Sequence, residues 1–305
     1  MANETWLDHQ NSKEALLYRA ACDRYWEVAQ YWRGLEFTVF VCIPTALAIF
    51  AQFMHSVETF AAMIGFGFTL LDAVIAYPLI AMTRLRAAQV QDQYDQVALS
   101  FKPSRIRQLG APDMTHIHET ASQQSRKRSK FNENWYTPTL GLLPRTFGRI
   151  ACMLESVTWD GGLRNRYTWL VGFTIVFMFL GFLTYGIISK LTIETLVVRI
   201  FFPLTPVLLW AGREIWDASE SAKSVSHLRE ALAEMWDAMI DSQIDESSAE
   251  EKSIEIQSAI YSYRINTFPI PNLIYKLLRV KTAENLRHVA ESRLSKYQIK
   301  FAKII

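Results

Sequence analysis

Four stretches with almost no charge, grouped as two pairs, constrain this chain more than any other feature of its sequence. Phe37 to Met54 runs 18 residues without a charge, and Thr59 to Thr83 runs 25 residues with Asp72 as its only charge. The four residues His55 to Glu58 separate the two. The pattern then repeats: Tyr167 to Ser189 supplies 23 uncharged residues, Lys190 to Thr195 turns, and Leu196 to Gly212 returns with Arg199 near its start. About 20 apolar residues in a helix cross a bilayer's hydrocarbon core. A soluble core helix can imitate one such run, but four runs paired by short turns predict two transmembrane hairpins. The expected fold class is an all-α membrane protein, with four transmembrane helices in two hairpins and mainly helical cytoplasmic segments. The expected division is 1–36, a cytoplasmic amphipathic helix; 37–83, hairpin 1; 84–166, a cytoplasmic connection; 167–212, hairpin 2; and 213–305, a C-terminal cytoplasmic helical region.

Orientation follows from Lys and Arg. The two short turns hold one Lys and no Arg, whereas the connection from Arg84 to Arg166 holds thirteen basic residues. Cytoplasmic loops carry that excess, so both termini and the connection are expected in the cytoplasm. Trp169 and Trp210 then fall near the cytoplasmic ends of spans three and four, at headgroup depth. The N-terminal 33 residues are charged and aromatic rather than basic-then-apolar, which does not match a cleavable signal.

Asp72 is the polar residue that such a membrane domain explains least well. A carboxylate within a span is costly unless paired or neutralised, so it faces the bundle interior or water. It is a pore or gating candidate, or a protonated structural group bonded to a neighbouring helix. Arg199 is an obvious partner by charge, but counting along each run places Asp72 about 20 Å and Arg199 about 6 Å from the outer ends. Arg199 is therefore expected to snorkel outward. Pro44, Pro78, Pro203 and Pro206 lie within spans, where prolines permit kinks.

The remaining chain reads as helices and connectors. Leu16, Leu17, Ala20, Ala21, Tyr25, Val28, Ala29 and Trp32 form a stripe that runs toward span one and predicts packing on another cytoplasmic helix. A helix is expected from Arg86 to Leu99, followed by a looser segment with a basic stretch at Arg126 to Lys130. Span four continues as a helix to about Ile240, with a near-heptad stripe from Ala218 to Met239. Asp241 to Glu251 is an acidic break, and Ile254 to Arg264 is helical up to Phe268-Pro269-Ile270-Pro271, which forces an extended turn. A basic helix from about Ile274 to Ile304 finishes the chain. Cys22, Cys42 and Cys152 are too scattered for a disulfide framework or zinc site. His116 and His118 lack further ligands at a supporting spacing, so no metal is expected. Formal net charge is only +2, which by itself says nothing about a nucleic-acid partner; no DNA or RNA polymer is expected among the partners. No phosphate-binding loop, nucleophile elbow or zinc-protease motif appears, which moves the weight from enzyme toward channel, transporter or membrane-perturbing protein.

Three residue sets, in order around the hairpins, resemble one family. The first is Gln10-Asn11 followed by a helix with Tyr25 and Ala29. The second is Trp135-Tyr136, Cys152, Trp159-Asp160, Leu163-Arg164 and Tyr167. The third is Ile260-Tyr261, Arg264, Phe268 to Pro271, Ile274-Tyr275 and Arg279. Together they resemble the SMODS-associated four-transmembrane effectors, pore-forming proteins of bacterial cyclic-oligonucleotide (CBASS) anti-phage systems. After Cys152 the family tends to continue with Gln, a basic residue and Asn, where this chain has Met153-Leu154-Glu155-Ser156. The resemblance implies a non-enzymatic sensor-effector in the bacterial inner membrane. A cyclic oligonucleotide made by a partner nucleotidyltransferase would bind the cytoplasmic part as activating ligand, with no other cofactor. The spans would then rearrange or self-assemble and breach the lipid bilayer, an abortive infection. Phosphates want Arg forks and bases want aromatic faces, so Trp135, Tyr136, Arg164, Arg264, Tyr275 and Arg279 are the ligand-binding candidates. The alternative is a small ion channel or transporter that uses Asp72.

Overall fold

The computed structural model describes residues 5–51, 58–124, 132–197, 202–270 and 272–301, and every regular element among them is a helix. Side chains at 48, 51, 58–62, 65, 69, 202–203 and 272–286 lie outside the description. A 3₁₀ turn, Trp6–Asn11, leads to α1 (Lys13–Glu36), whose first turn is capped by Ser12 accepting the Ala15 amide. α1 passes without a break through a π turn, Phe37–Cys42, into α2 (Ile43–Ala51). α3 (Glu58–Leu71) passes likewise through a second π turn, Asp72–Ala76, into α4 (Tyr77–Ala98). The short α5 (Met114–Ser122) follows. The long α6 (Arg145–Ile188), a single turn at Ile193–Leu196 and the long α7 (Phe202–Ile240) form the second hairpin. The chain ends with α8 (Glu246–Asn266) and α9 (Asn272–Phe301).

The apolar part of the molecule is inside out. Among the described residues two helical stretches, Phe66–Ala98 and Arg145–Ile188, are long and apolar enough to cross a membrane, yet of the 18-residue apolar segment in each only 12% and 11% is buried in protein. Met63, Phe66, Val74, Phe173, Phe177 and Ile188 point outward. Water does not tolerate an apolar band of that extent, and lipid does. Trp169 is exposed, and Trp210 is half-buried with its ring 4.5 Å from that of Phe37.

The polar part is an ordinary close-packed core. α1 lies on α4 and α5, α6 lies on α7, α8 bridges α4 and α7, and α9 covers α6. Tyr94, Ile150, Met153, Leu154, Leu232 and Ile260 are buried among them. The stripe on α1 therefore packs on helices, as its spacing predicts. α6 begins 22 residues before the expected span at Tyr167, because Ile150, Ala151, Met153, Leu154 and Val157 give its first turns a core-facing stripe of their own. The acidic break is also shorter than expected: α7 stops at Ile240, and Asp245 caps α8 by accepting the Ser248 amide. His116 lies in the first turn of α5, its amide and ring Nδ1 each 2.9 Å from an oxygen of the capping Asp113.

Both π turns have a sequence cause. Proline has no amide hydrogen, and its ring crowds the carbonyl four residues back. Pro44 and Pro78 each stand second in the helix that follows a π turn, so the widened turn accommodates the interrupted ladder. Pro206 sits inside α7. His55 to Val57, the basic stretch Arg126 to Lys130, and Arg199 lie outside the described residues.

A candidate ligand cavity beneath a charged layer

The polar core is organised by two carboxylates one turn apart on α4. Asp92 accepts from Arg107 at 3.0 Å, from Gln257 at 3.1 Å and from Gln96. Asp95 accepts from Arg264 at 2.5 Å, from the Tyr136 hydroxyl at 2.8 Å and from Gln257 at 3.2 Å. Burial opposes the charge on Arg264, but Asp95 outweighs it and holds the guanidinium above its ordinary range. Tyr136 is tied in twice more, since its amide donates to Gln10 Oε1 at 2.8 Å and its carbonyl accepts from Gln10 Nε2 at 3.3 Å. These contacts fasten the segment before α6 to the N-terminus. Arg149 closes the other end of α4 by donating to the carbonyls of Leu99 and Ser100, where Ser100 adopts φ 55°.

Beside this network lies a cavity of about 150 Å³ between α1, α4, α6 and α8. Trp26, Trp135 and Trp159 supply its aromatic wall, and Arg19, Arg164 and Arg264 its cationic groups. Each guanidinium is already matched to a carboxylate: Arg19 to Asp23 at 2.6 Å, Arg164 to Asp160 at 2.9 Å, and Arg264 to Asp95. The Arg19 guanidinium carbon lies over Trp135, 3.3 Å from the ring centroid. Such a set stacks planar groups and forks anions. Pockets for drug-sized ligands run to roughly 300–1,000 Å³, so a ligand larger than a single base must widen this one.

The roof of the cavity is the extended Phe268-to-Ile270 segment between α8 and α9. Arg164 donates to the Phe268 carbonyl at 3.2 Å and to the Tyr263 hydroxyl, which in turn donates to Asp160. The Phe268 ring faces the other way. The Arg33 and Arg84 guanidinium carbons stand 4.8 and 4.5 Å from its centroid, and the Tyr77 ring 5.6 Å.

Above Phe268 a layer of charge joins all four apolar stretches. Arg33 donates to Glu36 at 2.6 Å and to Glu214. Arg213 donates to the other oxygen of Glu36 and lies 3.5 Å from Asp72. The Tyr167 hydroxyl donates to Glu214 at 2.6 Å. Arg33 and Glu36 end α1, Asp72 opens the second π turn, Tyr167 lies on α6, and Arg213 and Glu214 lie on α7. Asp72 therefore pairs with Arg213. Counting along its run puts Asp72 near the middle, but it is level with Glu36 and Arg213, which stand at the ends of theirs. The run continues past the layer into the first turns of α4, of which Ile80 faces inward and is fully buried while Tyr77 and Met82 stay exposed.

Of the six ligand candidates, Trp135, Arg164 and Arg264 line the cavity. Tyr136 is buried in the core behind them, and the side chains of Tyr275 and Arg279 lie outside the description. Sequence reasoning missed Arg19, Trp26 and Gln91 in the cavity, and Arg33, Glu36, Arg213 and Glu214 in the layer. A usable signal was present: oppositely charged neighbours flank the first and the last of the four uncharged runs.

No curated protein and no solved structure matches the chain. The family profile described as SMODS-associating 4TM effector domain matches residues 7–293, from the first 3₁₀ turn to within the last helix. That span holds the cavity, its roof and the charged layer together, and the chain belongs to the SMODS-associating 4TM effector domain family.

Proposed function

We propose that this protein is a four-span effector of the bacterial inner membrane, with both termini cytoplasmic, that permeabilises the membrane when a cyclic oligonucleotide enters the cavity. The ligand comes from a partner nucleotidyltransferase activated by phage infection, and the response is abortive infection. The observation that carries this reading is the cavity's position. Its stacking and anion-forking groups lie directly under Phe268, and Phe268 lies directly under the charges that tie the spans together. Ligand phosphates compete with Asp23 and Asp160 for Arg19 and Arg164. A ring too large for the closed cavity pushes up the roof that Arg164 holds. The charged layer then loses its support and the spans rearrange, within one copy or in a homo-oligomer.

The test is leakage from liposomes that carry the full-length protein, with a panel of two- and three-nucleotide cyclic ligands. One ligand is expected to quench cavity tryptophans and release a trapped dye. Base–aromatic stacking is worth about 1–3 kcal/mol, so Trp26→Ala is expected to raise the half-maximal ligand concentration roughly 5- to 150-fold. Failure of every cyclic oligonucleotide to bind, or binding without leakage, would overturn the reading.

A further inference from the structure

The charged layer and the helices above it hold buried polar atoms that the protein does not satisfy. Among the described residues, Nε of Arg33 and of Arg213, Oδ1 of Asp72, Nε1 of Trp210 and Oγ1 of Thr45 are buried and make no hydrogen bond. They follow one another along the bundle. Arg33 and Thr45 lie on the continuous α1, π turn and α2, twelve residues or about 18 Å apart. Trp210 packs against Phe37 between them, and Arg213, one turn below Trp210, reaches Asp72.

Thr45 is the informative member. A helical threonine hydroxyl ordinarily donates to the carbonyl four residues back, as Thr38, Thr83, Thr168 and Thr174 do here. For Thr45 that carbonyl belongs to Val41, inside the π turn, and the hydroxyl is left unpaired although Thr45 is only 8% exposed. Buried polar groups without protein partners are normally satisfied by ordered water, and a run of them in an otherwise apolar bundle makes a place for several.

We infer that Thr45, Trp210 and Asp72 mark a hydrated path through the middle of a single four-helix bundle. Small ions cross along it, and the Arg33–Glu36–Glu214–Arg213 pairs close its inner end. Three carboxylates face two guanidiniums in that layer, so the path favours cations. This inference rests on the permeabilising function proposed above, and it adds that the lesion is a gated conduit inside one copy of the chain.

The experiment uses the full chain in planar bilayers with the activating cyclic oligonucleotide, in a Cys42→Ser background that removes the exposed native thiol. Thr45→Cys is expected to react with a cationic, membrane-impermeant methanethiosulfonate at least tenfold faster with ligand than without it, and the reaction cuts the ligand-evoked current. Thr45→Val, which keeps shape and removes the hydroxyl, is expected to lower unitary conductance while nucleotide binding stays unchanged. An unreactive Thr45→Cys together with wild-type conductance in Thr45→Val would overturn the inference and place the path elsewhere, between copies for example. A wild-type protein that passes no current with any nucleotide sinks the proposed function instead. The labelling of Thr45→Cys then still decides the hydrated path by itself: an inert thiol overturns it, and reaction with the impermeant reagent supports it.

Discussion

Asp95 accepts hydrogen bonds from Tyr136, Gln257 and Arg264 at a position that is only 1% exposed. Removing one partner of a buried ion pair leaves the other charge uncompensated, which typically costs about 3–5 kcal/mol. Arg264→Met is therefore expected to destabilise the protein by about that much. Adding Asp95→Asn, which removes the stranded charge, is expected to recover more than half of the loss. Thermal unfolding in detergent, followed by tryptophan fluorescence, measures both. This pair also shows where reading single residues stops. Arg264 and Arg164 are singled out by the motifs that carry the family resemblance, and both line the cavity. Nothing local says that Arg264 is matched to a carboxylate 169 residues away, nor that Tyr136 points into the core while Trp135 faces the cavity. A guanidinium held for structure and one held for a ligand look alike until the fold brings their carboxylates beside them.

The helices themselves were far more legible. Uncharged runs, apolar stripes and the Pro-x-Pro stop locate most of them, because each signal is local and repeats along the element, whereas α5 and the first turns of α6 fall in a segment that reads as loose. The two π turns were not legible, since a proline within a span is compatible with a kink, a break or a widened turn. Their effect is specific: Asp72 opens one and Glu36 directly precedes the other, so the widened turns aim both carboxylates at Arg213. Pro78→Ala restores an amide donor to the ladder, a gain of about 1 kcal/mol for the regular α register. That register turns Asp72 away from Arg213. Leakage without ligand is expected to rise roughly fivefold, the equivalent of 1 kcal/mol in an open-to-closed ratio. Basal dye release from liposomes is the readout, and a Pro78→Ala protein as tight as wild type would show that the turn does not hold the closed state.

At the scale of the whole molecule, one continuous set of contacts runs from the cavity to the spans. Arg164 holds the Phe268 carbonyl, the Phe268 ring lies against Arg33 and Arg84, and Arg33 holds Glu36 and Glu214. The Phe268 segment touches both the cavity and the charged layer, and the sequence shows only that an extended turn exists there. Contiguity alone does not prove coupling; a two-state element biased from both ends does. Phe268 is suited to that role because its backbone answers to the cavity and its ring to the charged layer. Each cation–π contact is worth about 0.5–2 kcal/mol. Phe268→Leu keeps an apolar side chain under the layer and removes the ring that both guanidiniums face. The expected outcome is nucleotide affinity within about twofold of wild type, because Arg19, Trp26 and Trp135 are untouched, together with at least a tenfold loss of ligand-evoked leakage. Calorimetry and dye release on the same preparation separate the two quantities. If affinity and leakage fall together, Phe268 belongs to the binding site; if neither changes, the signal reaches the membrane through α6 and α7 instead.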